Sequence, residues 1–232
     1  MIEEAAPRGR GVPRNLSREK IVEAALALVR EEGVAGLTMR RLAAELDATV
    51  AVTYHYFPNK SAVVEEVTEL VVTQILAADD PRRSWRERLL SLMLAQDREL
   101  LAHPGIARAL VENHDRPAAT RWTEAFLAVL LDGGFSPAAA ARAFSLISFY
   151  INPAFLIERP DVSTERLVDA SAVITSVPDG FPAIRAVQPH FEGRSFSAQY
   201  EEGVRTLVAM LEPDQAVDQR PAKATGRRRR TS

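Results

Sequence analysis

From Ser17 to Ile75 the apolar residues recur every three or four positions, and Gly33, Asp47-Ala48 and Phe57-Pro58 interrupt the recurrence at short intervals. Such spacing gathers apolar side chains on one face of a helix, and breaks this close together allow only short helices before the last block. The first helix begins at Ser17, a good N-cap residue, although Lys20 three positions on leaves the capping box incomplete. It carries Ile21, Val22, Ala25, Leu28 and Val29 and stops at Gly33. A second helix starts at Thr38, presents Met39, Leu42, Ala43 and Leu46, and ends around Asp47 and Ala48. The third is short, Thr49 to Tyr56, and closes at Phe57-Pro58. Asn59 then caps a longer fourth helix with Val63, Val64, Val67, Leu70, Val71 and Ile75. Three short helices, a tight connection and a long helix leading away make a helix-turn-helix head on a stalk.

The period stays helical beyond Pro81, with helices expected near residues 84 to 102, 104 to 113, 118 to 132 and 137 to 151. Asn152-Pro153 is expected to end or kink the last of these. From Glu158 to Arg194 four prolines leave room for two short helices joined by loops, and a final helix is expected from Ser195 to Leu211. No alternating strand pattern of useful length occurs. The expectation is an all-α protein: a flexible basic arm (1–14), a helix-turn-helix DNA-binding domain (15–62), a helical ligand-binding and dimerisation domain (63–212) and a disordered basic tail (213–232).

Charge is divided along the chain. Residues 1–60 carry a net +1, residues 61–218 a net −9 and residues 219–232 a net +6. An acidic body between basic ends permits phosphate binding at the ends while the body stays off nucleic acid. The Arg227 to Arg230 run fits either nonspecific phosphate affinity or a solubilising end. The chain has no cysteine, which excludes disulfides, thiolate metal sites and a Cys nucleophile. No apolar stretch approaches the roughly 18 residues of a membrane span, and the N-terminus lacks the apolar run of a signal peptide, so no membrane partner and a cytoplasmic location are expected. HExxH, GxSxG and phosphate-loop patterns are absent, and His and Asp do not cluster, so no enzymatic activity is expected.

The text "IVEAALALVREEGVAGLTMRRLAAELDATVAVTYHYFPNKSAVVEEV" resembles the DNA-binding head of the TetR family along its whole length. The matching features are the helix ending in Gly33, Leu37-Thr38, Leu42-Ala43, the aromatic series Tyr54, Tyr56, Phe57, and Asn59-Lys60 opening helix four. Family members usually have Gly where Asp47 stands, which makes the turn a point of departure. The stretch from Asp179 to Leu211 is similar to the C-terminal part of the tetracycline-repressor subgroup. The resemblance implies a transcriptional regulator, a repressor released from a palindromic operator when a small-molecule effector enters the body and moves helix four like a lever. It also implies a homodimer pairing through the helices at 137–151 and 195–211, for which Phe144, Ile147, Ile151, Val204, Leu207 and Leu211 supply apolar faces that serve an intramolecular core equally well.

A recognition helix needs small or polar side chains to enter the major groove and flanking donors to hold phosphates. Thr49, Val50, Thr53 and His55 are the groove candidates. Tyr54 and Lys60 resemble the family's phosphate clamps, and Thr38 and Arg40 at the start of helix two are candidate backbone contacts. Arg41 fits either DNA or a solvated helix face, and Tyr56 and Phe57 are apolar enough for the core. Polar tips and aromatic faces in the body suggest effector contacts at His103, Arg108, Asn113, His114, Trp122, Phe126, Phe149 and Asn152. His103 lies roughly where the subgroup uses a His to hold a magnesium-drug chelate. Its neighbours Leu101, Ala102 and Pro104 read as an ordinary helix boundary, so neither metal nor cofactor is expected.

Overall fold

The computed structural model describes residues 16–156, 182–190 and 196–214, with 151–156, 188 and 196–197 described by backbone alone. Among them are ten α-helices and no strand: α1 (Arg18–Gly36), α2 (Met39–Glu45), α3 (Val50–Tyr56), α4 (Lys60–Leu76), α5 (Trp85–Ala102), α6 (Ile106–Glu112), α7 (Pro117–Asp132), α8 (Pro137–Leu156), α9 (Pro182–Val187), followed by a 3-10 turn at Gln188–His190, and α10 (Phe196–Met210).

Helix starts follow capping chemistry. Ser17, Thr38 and Asn59 each accept a hydrogen bond from a backbone N–H three residues on, at 3.3, 3.1 and 2.9 Å. Ser84 and Glu87 form a reciprocal capping box at the start of α5. Gly33 leaves the helical region (φ 69°, ψ 175°), so α1 breaks where the sequence placed its stop, before one further turn. The connection from α2 to α3 turns on Asp47, whose φ of 47° lies in the left-handed region that favours glycine.

The head closes on Phe57, which is fully buried and belongs to the same apolar core as Ile21, Val22, Leu42 and Val63. The Arg18 guanidinium lies 4.1 Å over the Phe57 ring, and the Tyr56 hydroxyl donates to the Leu16 carbonyl at 2.9 Å. α4 leaves this core and, at about 1.5 Å per residue, carries its 17 residues roughly 25 Å into the body. Val63 and Val67 pack near the head, while Val71, Val72 and Ile75 are buried farther along. α4 therefore touches α1 on one side and α5, α6 and α7 on the other. At its far end Arg88 clamps three elements together, bonding both oxygens of Asp79 (2.7 and 2.9 Å) and Asp132 (2.9 Å).

Two expectations are narrowed. α8 runs through Asn152-Pro153 to Leu156 instead of ending there, so that dipeptide does not stop the helix. Ile147, Val204 and Leu211 are buried within the single chain, so these side chains belong to its own core. The arm 1–14, the tail beyond residue 214 and the part of the irregular segment from Glu158 to residue 181 lie outside the described residues. So does the Ile151 side chain.

Candidate DNA-binding face and effector cavity

α2 and α3 form the two arms of a helix-turn-helix. Thr38 and Arg40 are exposed at the start of α2, Thr49 is exposed at the N-cap of α3, and Tyr54 and His55 are exposed on α3, with Tyr54 at 50%. Val50 is half-buried. Thr53 is a correction: it is fully buried, and its hydroxyl donates to the Val50 carbonyl at 2.8 Å, so it braces α3 from inside and offers nothing to a groove. Ala51, which the sequence reading passed over, is exposed on α3 three and four residues before Tyr54 and His55. The signal that could have found it is helical spacing, since a small residue in that register shares their face. Arg41 forms an ion pair with Glu32. Lys60 is half-buried and reaches the Ala35 carbonyl at 3.5 Å.

In the body a cavity of about 380 Å³ lies among α5, α6, α7 and α8. Trp122 and Phe144 give it aromatic walls, and Gln96, His114, Thr123 and Ser148 give it polar ones. Gln96 is buried, and its carbonyl accepts a hydrogen bond from the Trp122 indole N–H at 2.8 Å, which fixes the ring at the cavity wall. It too was missed in the sequence. A polar residue in register with Leu89, Leu92, Met93 and Leu100 on the buried stripe of α5 was the available signal.

The proposed effector contacts scatter. His114 and Trp122 line the cavity. Phe126 does not: it is fully buried behind Trp122, with ring centroids 4.8 Å apart. Phe149 points outward and is 76% exposed. Arg108 and Asn113 line a different cleft, between α6 and the head. His103 is fully buried with both ring nitrogens engaged, Nδ1–H donating to the Glu99 carbonyl (2.7 Å) and Nε2 accepting from Arg30 Nε (2.8 Å). An imidazole accepting from Arg30 is neutral, and burial, reinforced by the Arg30 charge, holds its pKa below the ordinary imidazole value. The one donor and the one lone pair of the neutral ring are both spent, so His103 is a structural link between α1 and the body. Among the described residues no three His, Asp or Glu side chains gather as a metal site. The Asn152 side chain lies outside the described residues.

A helix-turn-helix with an exposed second helix, joined by one shared helix to a body with an aromatic cavity, defines a DNA-binding transcription regulator with a sensing domain. The comparisons with known proteins identify the family. Residues 21–67 match the model of "Bacterial regulatory proteins, tetR family", and residues 77–213 match "Tetracyclin repressor-like, C-terminal domain". The class C tetracycline repressor protein of Escherichia coli is 30% identical over 203 residues, covering 85% of this chain and 91% of that protein. A possible TetR family transcriptional regulator from Streptomyces coelicolor A3(2) superimposes with a TM-score of 0.65 at 29% identity, over 83% of this chain and 97% of that one. ActR of Streptomyces coelicolor in complex with actinorhodin superimposes with a TM-score of 0.62 at 25% identity, over 85% and 97% of the two chains. The chain belongs to the TetR family. It is a ligand-responsive transcriptional repressor by class and not an enzyme, and no helix among its described residues is long and apolar enough to cross a membrane.

Proposed function

We propose that the protein binds a palindromic operator as a homodimer in the cytoplasm, and that a small aromatic compound in the α5–α8 cavity releases it. The observation that carries this reading is the outward face of α3, where Thr49, Ala51, Tyr54 and His55 stand exposed over a head packed rigidly on Phe57. Thr49 and Ala51 suit thymine methyls and base edges, while Tyr54, His55, Thr38, Arg40 and Lys60 suit phosphates. Residues 15–62 act as the DNA-binding domain and 63–212 as the sensing and dimerising domain, with α4 rooted in both.

One recognition helix spans too few base pairs for a specific site, so two copies are needed. Support for the pairing face comes from Leu146, Phe149 and Tyr150 on α8, exposed at i, i+3 and i+4, with Met210 on α10 exposed at 75%. A stripe this apolar has reason to be covered. The effector class is supported by Trp122 and Phe144 as stacking surfaces, with Gln96 and Ser148 as hydrogen-bonding points. It is also in keeping with a solved relative that holds actinorhodin. Release requires only that the effector prefer the arrangement of heads that does not fit the operator.

Selection of bound sequences from a random duplex pool, read at two ionic strengths, tests the reading. Recovery of an inverted repeat with half-sites about one helical turn apart supports it. Recovery of no enriched sequence by folded protein overturns it.

A further inference from the structure

Besides sharing α4, the head and the body are fastened to each other where the end of α1 meets the turn between α5 and α6. There the Val34 N–H donates to the Pro104 carbonyl at 2.8 Å, and Arg30 bonds His103. The backbones pass so closely that a Cβ on Gly105, whose φ is +93°, would lie 2.7 Å from Val34 Cβ. Beside this fastening the two parts diverge around a cleft of about 710 Å³, nearly twice the volume of the cavity in the body. Its walls come from the end of α1, the first turns of α4, α6 and the start of α7. Leu110 and Ala119 line both spaces and form the partition between them.

Three cations face this cleft: Lys60, Arg108 and Arg116. Two carboxylates face it as well, and each is engaged, Glu65 with Arg116 at 3.5 Å and Glu112 with Arg108 at 2.8 Å. Lys60 has no carboxylate within ion-pair distance among the described residues, its ammonium reaching only the Ala35 carbonyl at 3.5 Å. Val64 and Ala109 add an apolar floor between the charges. A space with a surplus cation at its rim and methyl groups at its base is complementary to a molecule with one anionic group on a compact apolar body.

We propose that this junction cleft is a second small-molecule site, taking an amphipathic anion such as an aromatic sulfonate or carboxylate, and that its occupancy lowers DNA affinity by claiming Lys60 and bracing the head against the body. The binding half rests on the cleft alone. The regulatory half rests on the reading of Lys60 as a phosphate contact, since an ammonium paired with a ligand anion is not available to the duplex.

The probe is 8-anilinonaphthalene-1-sulfonate titrated into the full chain, with stoichiometry from calorimetry and occupancy from fluorescence. Two sites per chain are expected. Ser148→Trp, which fills the α5–α8 cavity, removes one and leaves the other. Arg116→Glu weakens the remaining site at least tenfold, and Ala109→Trp abolishes it. Arg116 is exposed, so its reversal leaves the packing intact and keeps the test decisive where Ala109→Trp disturbs the fold. A Ser148→Trp protein that no longer binds the probe, or an Arg116→Glu protein that titrates like the wild type, overturns the site. With a selected operator in hand, saturating probe on the Ser148→Trp protein is expected to weaken DNA binding at least fivefold, and unchanged affinity overturns the regulatory half. Failure to select any operator refutes the operator reading above and leaves the stoichiometry to decide the cleft by itself.

Discussion

Replacing Asp97 by Asn is expected to stabilise the protein at neutral and alkaline pH and to do nothing in acid. Asp97 is buried on α5, its Oδ1 has no hydrogen-bond partner among the described residues, and Tyr150 and Tyr200 lie near enough to be perturbed by its charge. Burial pushes its carboxyl from the ordinary 3.8 up to about 6. The raised value means that the folded state disfavours the ionised form, so the penalty is absent below about pH 4, grows as pH rises and is complete above about pH 6. A rise of this size corresponds to about 3 kcal/mol at full ionisation. Asn keeps the volume and cannot ionise, so Asp97→Asn should exceed the wild type by about 2–3 kcal/mol at pH 8, with the difference closing toward pH 4.5. Urea unfolding at fixed protein concentration, followed by far-UV circular dichroism across pH 4.5 to 8, measures it. A difference independent of pH, or a variant less stable than wild type at pH 8, would refute the reasoning.

The junction link makes a complementary statement about pH. Because burial lowers the His103 pKa, its contribution to stability is complete above the ordinary imidazole value and fades as pH falls below it; His103→Phe should cost about 1–3 kcal/mol at pH 8 by leaving Arg30 Nε without its acceptor, as urea unfolding would register. At the α2–α3 turn, Asp47→Gly should be neutral or stabilising by up to about 1 kcal/mol and Asp47→Ala destabilising by about 1 kcal/mol, because only the first relieves a φ of 47°; thermal unfolding ranks the three proteins, and Ala above Gly would contradict the assignment. On the proposed homodimer, Phe149→Glu should convert dimer to monomer in light scattering behind gel filtration without lowering helicity, since that side chain is 76% exposed in the single chain.

Most of the head was legible because its determinants are local. Ser17, Thr38 and Asn59 cap helices through bonds that span three residues, and Gly33 breaks one by its own φ, so nothing distant enters. Even the departure at Asp47 was readable as a residue standing where glycine is usual, and the left-handed backbone there explains why glycine is usual. The effector contacts were not legible in the same way. His103, Phe126 and Phe149 are all residues of suitable chemistry, yet one is consumed by Arg30 and Glu99, one is sealed behind Trp122, and one faces outward. Thr53 failed for the same cause: its residue type suits a groove, yet the packing of α3 against α2 turns it inward.

By itself the sequence determined where most helices start, that the chain is all-α, and which segment forms the helix-turn-helix, because hydrogen-bond reach and apolar period act over four residues or fewer. Tertiary structure alone decided what each helix face meets: that α4 is shared between head and body, that Gln96 holds Trp122 at a cavity, that Ile147 and Val204 are core, and that a cleft opens where α1 meets α6. Those outcomes depend on the crossing of helices tens of residues apart, and the space left between them is a property of no single helix.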